Sequence, residues 1–219
     1  MEARHWPVYD LRVRTPRLEL RLPVLTELDA LAELAADGVH DPAVMPFTVP
    51  WTDAGPEEVA RSVMQYHWRT LGASTPADWV LPLGVFLDGE IVGTQELSAR
   101  HFAVLREVHT GSWLGRRYQG RGIGTEMRAA VLHLAFAGLG AETARSAAMS
   151  DNTVSLAVSR KLGYRPDGTA LLAPRGRPAV EQRLVLSRAD WSAQRSVPVE
   201  VEGLARCRAL LGLAGAADG

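Results

Sequence analysis

Seven consecutive residues, Gln119, Gly120, Arg121, Gly122, Ile123, Gly124 and Thr125, combine types and spacing that point to chemistry. Glycine at every second position keeps Cβ atoms out of a turn, so main chain can approach a ligand closely. A strand-like run over 108–114 precedes the turn, and a helical pattern over 125–137 follows it. Such a helix aims free N–H groups and the positive end of its dipole at the turn, which suits a phosphate or pyrophosphate. Arg116, Arg117 and Arg121 add positive charge beside it. A Walker-type loop needs Lys and then Ser or Thr after its last glycine, and Thr125 and Glu126 stand there instead. A dinucleotide fingerprint needs two residues between its second and third glycines, and only Ile123 separates Gly122 from Gly124. What remains is Gln-x-x-Gly-x-Gly. It reads either as a phosphate-binding loop or as a glycine-rich turn that caps a helix.

The elements that would position this loop follow from periodicity. Leu18, Leu20 and Leu22 alternate with Arg17, Glu19 and Arg21, a half-buried strand. Leu11 to Arg14 reads the same way. Thr26 and Asp29 have capping-box spacing before a helix with Leu28, Leu31, Leu34 and Ala35 on one face, and Gly38 ends it. The segment 39–52 mixes prolines with Phe47 and Trp51, which favours neither helix nor central strand. It is either the wall of an acceptor pocket or a loop plugged into the core. Pro56, Glu57 and Glu58 start another helix, with Val59, Val63, Tyr66 and Trp68 expected inside and His67 just off that face. Asp88-Gly89 between two apolar runs predicts a β-hairpin. Strands are expected over 107–114, 142–149, from 164 and over 180–186. A helix capped by Asp151 and Asn152, with a stripe of Val154, Ala157, Val158 and Leu162, lies among them. This order predicts an α+β, or mixed α/β, domain over 1–190 rather than a regular βαβ fold. An extension over 191–219 alternates at 197–202, as an edge strand or a dimer contact, and its Gly/Ala-rich end from Gly212 is expected to fray.

Composition narrows the partners. The net charge of -1 provides no global field toward nucleic acid or an anionic membrane. A single cysteine, Cys207, excludes an internal disulfide framework and suits a reducing cytoplasm. It stands outside any Cys/His cluster, so no metal is expected. The N-terminal residues lack an apolar signal core, and no apolar run is long enough for a bilayer.

A second pattern lies one helix and one strand beyond the loop: Asn152, Thr153, Val154 and Ser155, then Arg160, Lys161, Leu162, Gly163 and Tyr164. With Thr15, Pro16, Arg17 and Leu18 near the start, the three signatures resemble the GNAT acyltransferase superfamily, RimJ/RimL type, over about 11–186. Within it, the His5-Trp6 start, His40 to Pro42, Gly111 to Gly115, Gly124 to Arg128 and the 199–207 tail are similar to a mycobacterial member described as a succinyltransferase. The resemblance implies a twisted, mostly antiparallel sheet with a splayed parallel pair. An acyl-pantetheine arm would lie in the splay beside Trp113 and Leu114, with the pyrophosphate on residues 119–125. Asn152 would touch the cofactor arm, and Ser155 would protonate the departing thiolate, although a first-turn serine is also an ordinary cap. The reaction implied is direct attack of an amine on acetyl-CoA or succinyl-CoA, with a main-chain N–H near Leu114 as oxyanion donor. The acceptor would be a protein N-terminus, a lysine or a small amine. Glu96, Glu107 and His109 are the candidate bases, and each could equally be a solvent-facing strand residue. Without a working base, the chain would be a non-catalytic CoA-binding sensor.

Overall fold

The computed structural model describes residues 3–213. The chain enters through β1 (Arg12–Arg14) and β2 (Leu18–Arg21), passes through α1 (Leu25–Ala36) and α2 (Pro56–Ala73), and returns as a hairpin of β3 (Asp78–Leu87) and β4 (Glu90–Arg100). One turn of helix, α3 (Phe102–Leu105), leads to β5 (Glu107–Leu114), which feeds α4 (Ile123–His133). Then come β6 (Thr143–Met149), α5 (Thr153–Lys161), a second hairpin of β7 (Arg165–Leu172) and β8 (Ala179–Ser187), α6 (Arg188–Gln194), β9 (Glu200–Glu202) and α7 (Leu204–Cys207). The frayed end expected from Gly212 falls mainly on residues 214–219, outside those described.

The nine strands of the described residues join one sheet in the order β7-β8-β6-β5-β4-β3-β2-β1-β9. Every pairing is antiparallel except β5 with β6. The mixed α/β architecture is therefore the one expected. Asp88 and Gly89 turn the β3–β4 hairpin with φ of 52° and 82°, the left-handed pair that matches strand twist. Val13, Leu20, Leu83, Val85 and Leu97 are 0% exposed in the resulting core, each contributing about 1.5–3 kcal/mol by leaving water. Among the described residues, no helix is long and apolar enough to cross a membrane.

Several local expectations are corrected. The first turn of α1 is not a Thr26–Asp29 box. The N-cap is Val24, two residues earlier, and Glu27 accepts the Val24 N–H at 2.9 Å while Arg21 holds the same carboxylate at 2.6 Å. On α2 the buried stripe is Val59, His67, Thr70 and Leu71, whereas Tyr66 and Trp68 are exposed. The helix turns its apolar face by about one residue, because Tyr66 reaches instead for a polar partner on β4. On α5, Val154 and Ala157 face out, and Ser159 is fully buried. That helix packs against a charged group of α4, which small hydroxyls satisfy and valine cannot. α4 begins at Ile123 rather than at Thr125, and after His133 it loosens into a π-helical turn through Leu139.

Candidate active site

The site is built on a fork in the sheet. β5 and β6 pair through only three rungs, Glu107–Thr143, Val108–Ala144 and His109–Arg145, and separate beyond them. Their outer edges stay paired to the ends of the strands, β5 with β4 through Leu114 and β6 with β8 through Met149. Two side chains stitch the vertex: Thr110 Oγ1 donates to Arg145 O at 3.3 Å, and Ser146 Oγ donates to Thr110 O at 3.5 Å. The Gly115 N–H donates across the sheet to Val92 O, so strand alternation turns the N–H groups of Ser112 and Leu114 toward the open side. Unpaired main chain inside a sheet is costly unless something bonds to it. Gly93 lets β4 press on β5 here, since a Cβ at 93 would stand 2.3 Å from Trp113 O.

A cleft of about 830 Å³ occupies the fork. Trp113, Leu114, Gln119, Gly124, Asn152, Ser155 and His109 line it together with the loop from Val39 to Thr48. The segment meets both expectations in part: residues within 39–48 border the cleft, and Phe47 and Trp51 pack on the buried cluster of Ala35, Val39 and Val59. Phe47 packs on Trp51 at 5.2 Å between ring centroids, and Trp51 on Trp113 at 5.9 Å. The turn from β5 into α4 places Gly120 and Gly122 at φ of 72° and 77°. Helix geometry leaves the first N–H groups of α4 without intrahelical acceptors.

Of the glycine loop, Gln119 and Gly124 border the cleft. Gln119 is a brace: its side-chain N–H group donates to Val39 O at 2.7 Å and Leu114 O at 2.9 Å. Ile123 is a core residue at 1% exposure. Thr125 lines a separate small cleft beside Trp191. Arg121 is exposed, and its carbonyl accepts from Arg17 at 3.2 Å. Arg117 is occupied by Asp37 at 3.2 Å and Glu90 at 3.7 Å. The opening Thr15–Leu18 motif acquires a reason here. Thr15 Oγ1 donates to Glu126 at 2.6 Å, and Arg17 pairs with the same carboxylate at 2.6 Å, which ties β2 to the first turn of α4.

Asn152 Oδ1 caps α5 by accepting the Ser155 N–H at 3.1 Å, and both residues border the cleft. Of the candidate bases, His109 lines the cleft with its side chain 58% exposed and Nε2 3.7 Å from Glu107. Glu107 is taken by Arg145 at 2.7 Å, and Arg145 also pairs with Asp167. Glu96 is not in the cleft wall. It lies one strand away, opposite Gly111, and accepts a short hydrogen bond from the Tyr66 hydroxyl. Burial raises its pKa, and that hydrogen bond partly opposes the rise.

One residue, the end of the Gly124 to Arg128 stretch, carries no role read from the sequence. Arg128, on α4, is 6% exposed, lines the cleft, and among the described residues bonds to two hydroxyls: Ser159 Oγ at 2.8 Å and Ser112 Oγ at 3.2 Å. Its Nε has no partner among the described residues, and burial lowers its pKa. An uncompensated buried charge costs several kcal/mol. The signal in the sequence was an arginine on the apolar side of a helical pattern.

Comparison with known proteins bears on this geometry. The acetyltransferase (GNAT) domain family matches residues 17–165. A Vibrio cholerae structure described as a putative ribosomal-protein-serine acetyltransferase superposes with a TM-score of 0.62 at 20% identity, covering 82% of this chain and 99% of its own. Mycobacterium smegmatis RimJ in complex with a CoA-disulfide gives 0.66 at 20% identity, over 87% of this chain and 97% of its own. RimL, a ribosomal L7/L12 alpha-N-protein acetyltransferase in complex with coenzyme A, gives 0.62 at 20% identity, over 79% and 95%.

Proposed function

The chain belongs to the GNAT acetyltransferase family, and on that premise we propose that it moves an acyl group from a coenzyme A thioester to a primary amine by direct attack in a ternary complex. The observation that carries this reading is the open edge of β5 at Ser112 and Leu114, which ends at the left-handed glycine turn and the N-terminus of α4. A pantetheine arm has amides to bond such an edge, and a pyrophosphate has charge for the helix terminus.

The chemistry balances as follows. The ammonium gives a proton to a base, and its nitrogen adds to the thioester carbonyl carbon. The oxyanion is met by a main-chain N–H of β5. The C–S bond then breaks, the thiolate takes a proton from a group such as Ser155, and the serine oxygen regains one from the acylated nitrogen, directly or through water. The products are an amide, CoA-SH and one proton. The acceptor would approach from the side of Phe47 and Trp113, and a protein N-terminal amine is the class suggested by the activity named for RimL; a lysine or a small amine would present the same nucleophile.

Acetyl-CoA is the donor that the family name implies. A second reading, succinyl-CoA, is favoured by Arg128, because a buried guanidinium without a carboxylate would be neutralised by one on the acyl group. Calorimetric titration with acetyl-CoA and succinyl-CoA tests both, followed by CoA release with an amine panel: a serine-starting peptide, a lysine peptide with a blocked N-terminus, and spermidine. Binding plus amine-stimulated CoA release is expected. Binding without release from any amine would favour a non-catalytic CoA module, and no binding would overturn the assignment. If Arg128 reads the acyl group, Arg128→Met abolishes a succinyl preference and spares acetyl-CoA. Equal losses with both donors would assign Arg128 to packing.

A further inference from the structure

Glu96 sits in the middle of β4 on the sheet face covered by α1 and α2. Its partner across the ladder is Gly111, a cleft residue with no side chain. A Cβ at 111 would reach ordinary contact with the Glu96 Cβ, at 4.0 Å, so Gly111 and Glu96 share a sheet face and no β5 side chain stands between Glu96 and the cleft-lining main chain at that position. From the other side, Tyr66 of α2 donates its hydroxyl to Glu96 Oε2. The other two candidate bases stand differently. Glu107 is an ion-pair partner of Arg145, and His109 is largely in solvent. Glu96 alone has a neutral partner, so its negative charge is not already cancelled. Tyr66 is otherwise unexplained: it leaves the buried stripe of α2 to make this contact.

We propose that Tyr66 is a positioning residue for proton transfer: its hydroxyl holds Glu96 Oε2 and leaves Oε1 to take the proton from the incoming ammonium directly or through one water. The inference rests on the acyl-transfer reading. The ionisable groups on this face include Tyr66 and Arg69 of α2, the Arg69 guanidinium lying 5.7 Å from the Tyr66 ring centre, and His109 and Glu107 of β5. They also include Arg145 of β6, which holds Glu107 and Asp167, and farther along the sheet Glu19 and Arg21 of β2 with Glu27 of α1. From β3 the partner of Glu96 is Pro82, and α1 packs its leucines against the sheet.

The test is Tyr66→Phe, which removes one oxygen and keeps the ring. Carbon-13 NMR of the glutamate carboxyls, with Glu96 assigned through Glu96→Gln, follows Glu96 directly. In parallel, kcat/KM is measured against pH with the best amine of the panel. A hydroxyl donating to a carboxylate favours its charged form, so its loss raises the Glu96 titration. The acid limb of kcat/KM should move up by about one pH unit in step with it, with CoA affinity unchanged. Glu96→Gln should lower kcat about 100-fold. An unmoved limb in Tyr66→Phe, or a limb that does not track the Glu96 signal, overturns the proposal. A merely structural Tyr66 would lower Tm and leave the limb in place. Failure of the acyl-transfer reading shows separately, as absent CoA binding or absent CoA release.

Discussion

At the scale of single residues, three buried or cleft-lining polar groups do different things. His67 is 4% exposed, its Nε2 has no partner among the described residues, and burial holds its pKa down at about 4. An unfolded histidine titrates near 6.5. The depressed folded value means that the stability linked to His67 is complete above about 6.5 and is lost as pH falls toward about 4. Chemical denaturation at pH 7 and pH 4.5 should show a loss to which His67 contributes at most ~3 kcal/mol, and His67→Leu should flatten that dependence. An unchanged slope would mean that other groups carry the acid sensitivity. Ser155→Ala should reduce kcat by about tenfold or more while leaving CoA affinity intact, if its hydroxyl meets the thiolate. Full activity would return Ser155 to its place in the capped first turn. Both burials left only a weak signal in the sequence: Arg128 lies on the apolar side of a helical pattern and His67 one residue off it, and polar letters there are not enough to predict burial.

At the scale of elements, the β5–turn–α4 unit was legible because glycine spacing and helix-dipole physics are local. The left-handed φ of 77° at Gly122 is a conformation that a β-branched residue adopts only with strain. Gly122→Val should cost about 1–2 kcal/mol of stability and abolish CoA binding, read by calorimetry beside circular dichroism. Retained CoA affinity in a folded variant would remove the pyrophosphate role from the loop. Helix faces were harder to read. Tyr66 and Val154 looked like stripe residues by period, yet they face outward because partners from distant strands and helices decide the rotation of α2 and α5.

At the scale of the whole molecule, the segment after α6 is part of the core. β9 pairs with β1 through Val13–Val201 and its neighbours. Cys207, Leu211 and Leu213 are 0%, 2% and 6% exposed, and Trp79 Nε1 donates to Leu211 O at 3.0 Å. Truncation after Arg195 should therefore lower Tm sharply, because each of the lost leucines buries ~1.5–3 kcal/mol of apolar surface; a Tm within a degree or two of the full chain would refute this. The sequence by itself determined the alternation of the strands, the Asp88-Gly89 hairpin, the glycine turn and the Asn152 cap, because each depends on residues within a few positions of one another. Only the tertiary structure decided that β5 and β6 part after three rungs, that Gly111 stands opposite Glu96, that Glu126 ties the opening Thr15–Leu18 motif to α4, and that Arg128 lies buried in the cleft wall. Those relations join residues up to 111 positions apart. They arise where strand register and helix packing balance over the entire sheet, and no local pattern carries that balance.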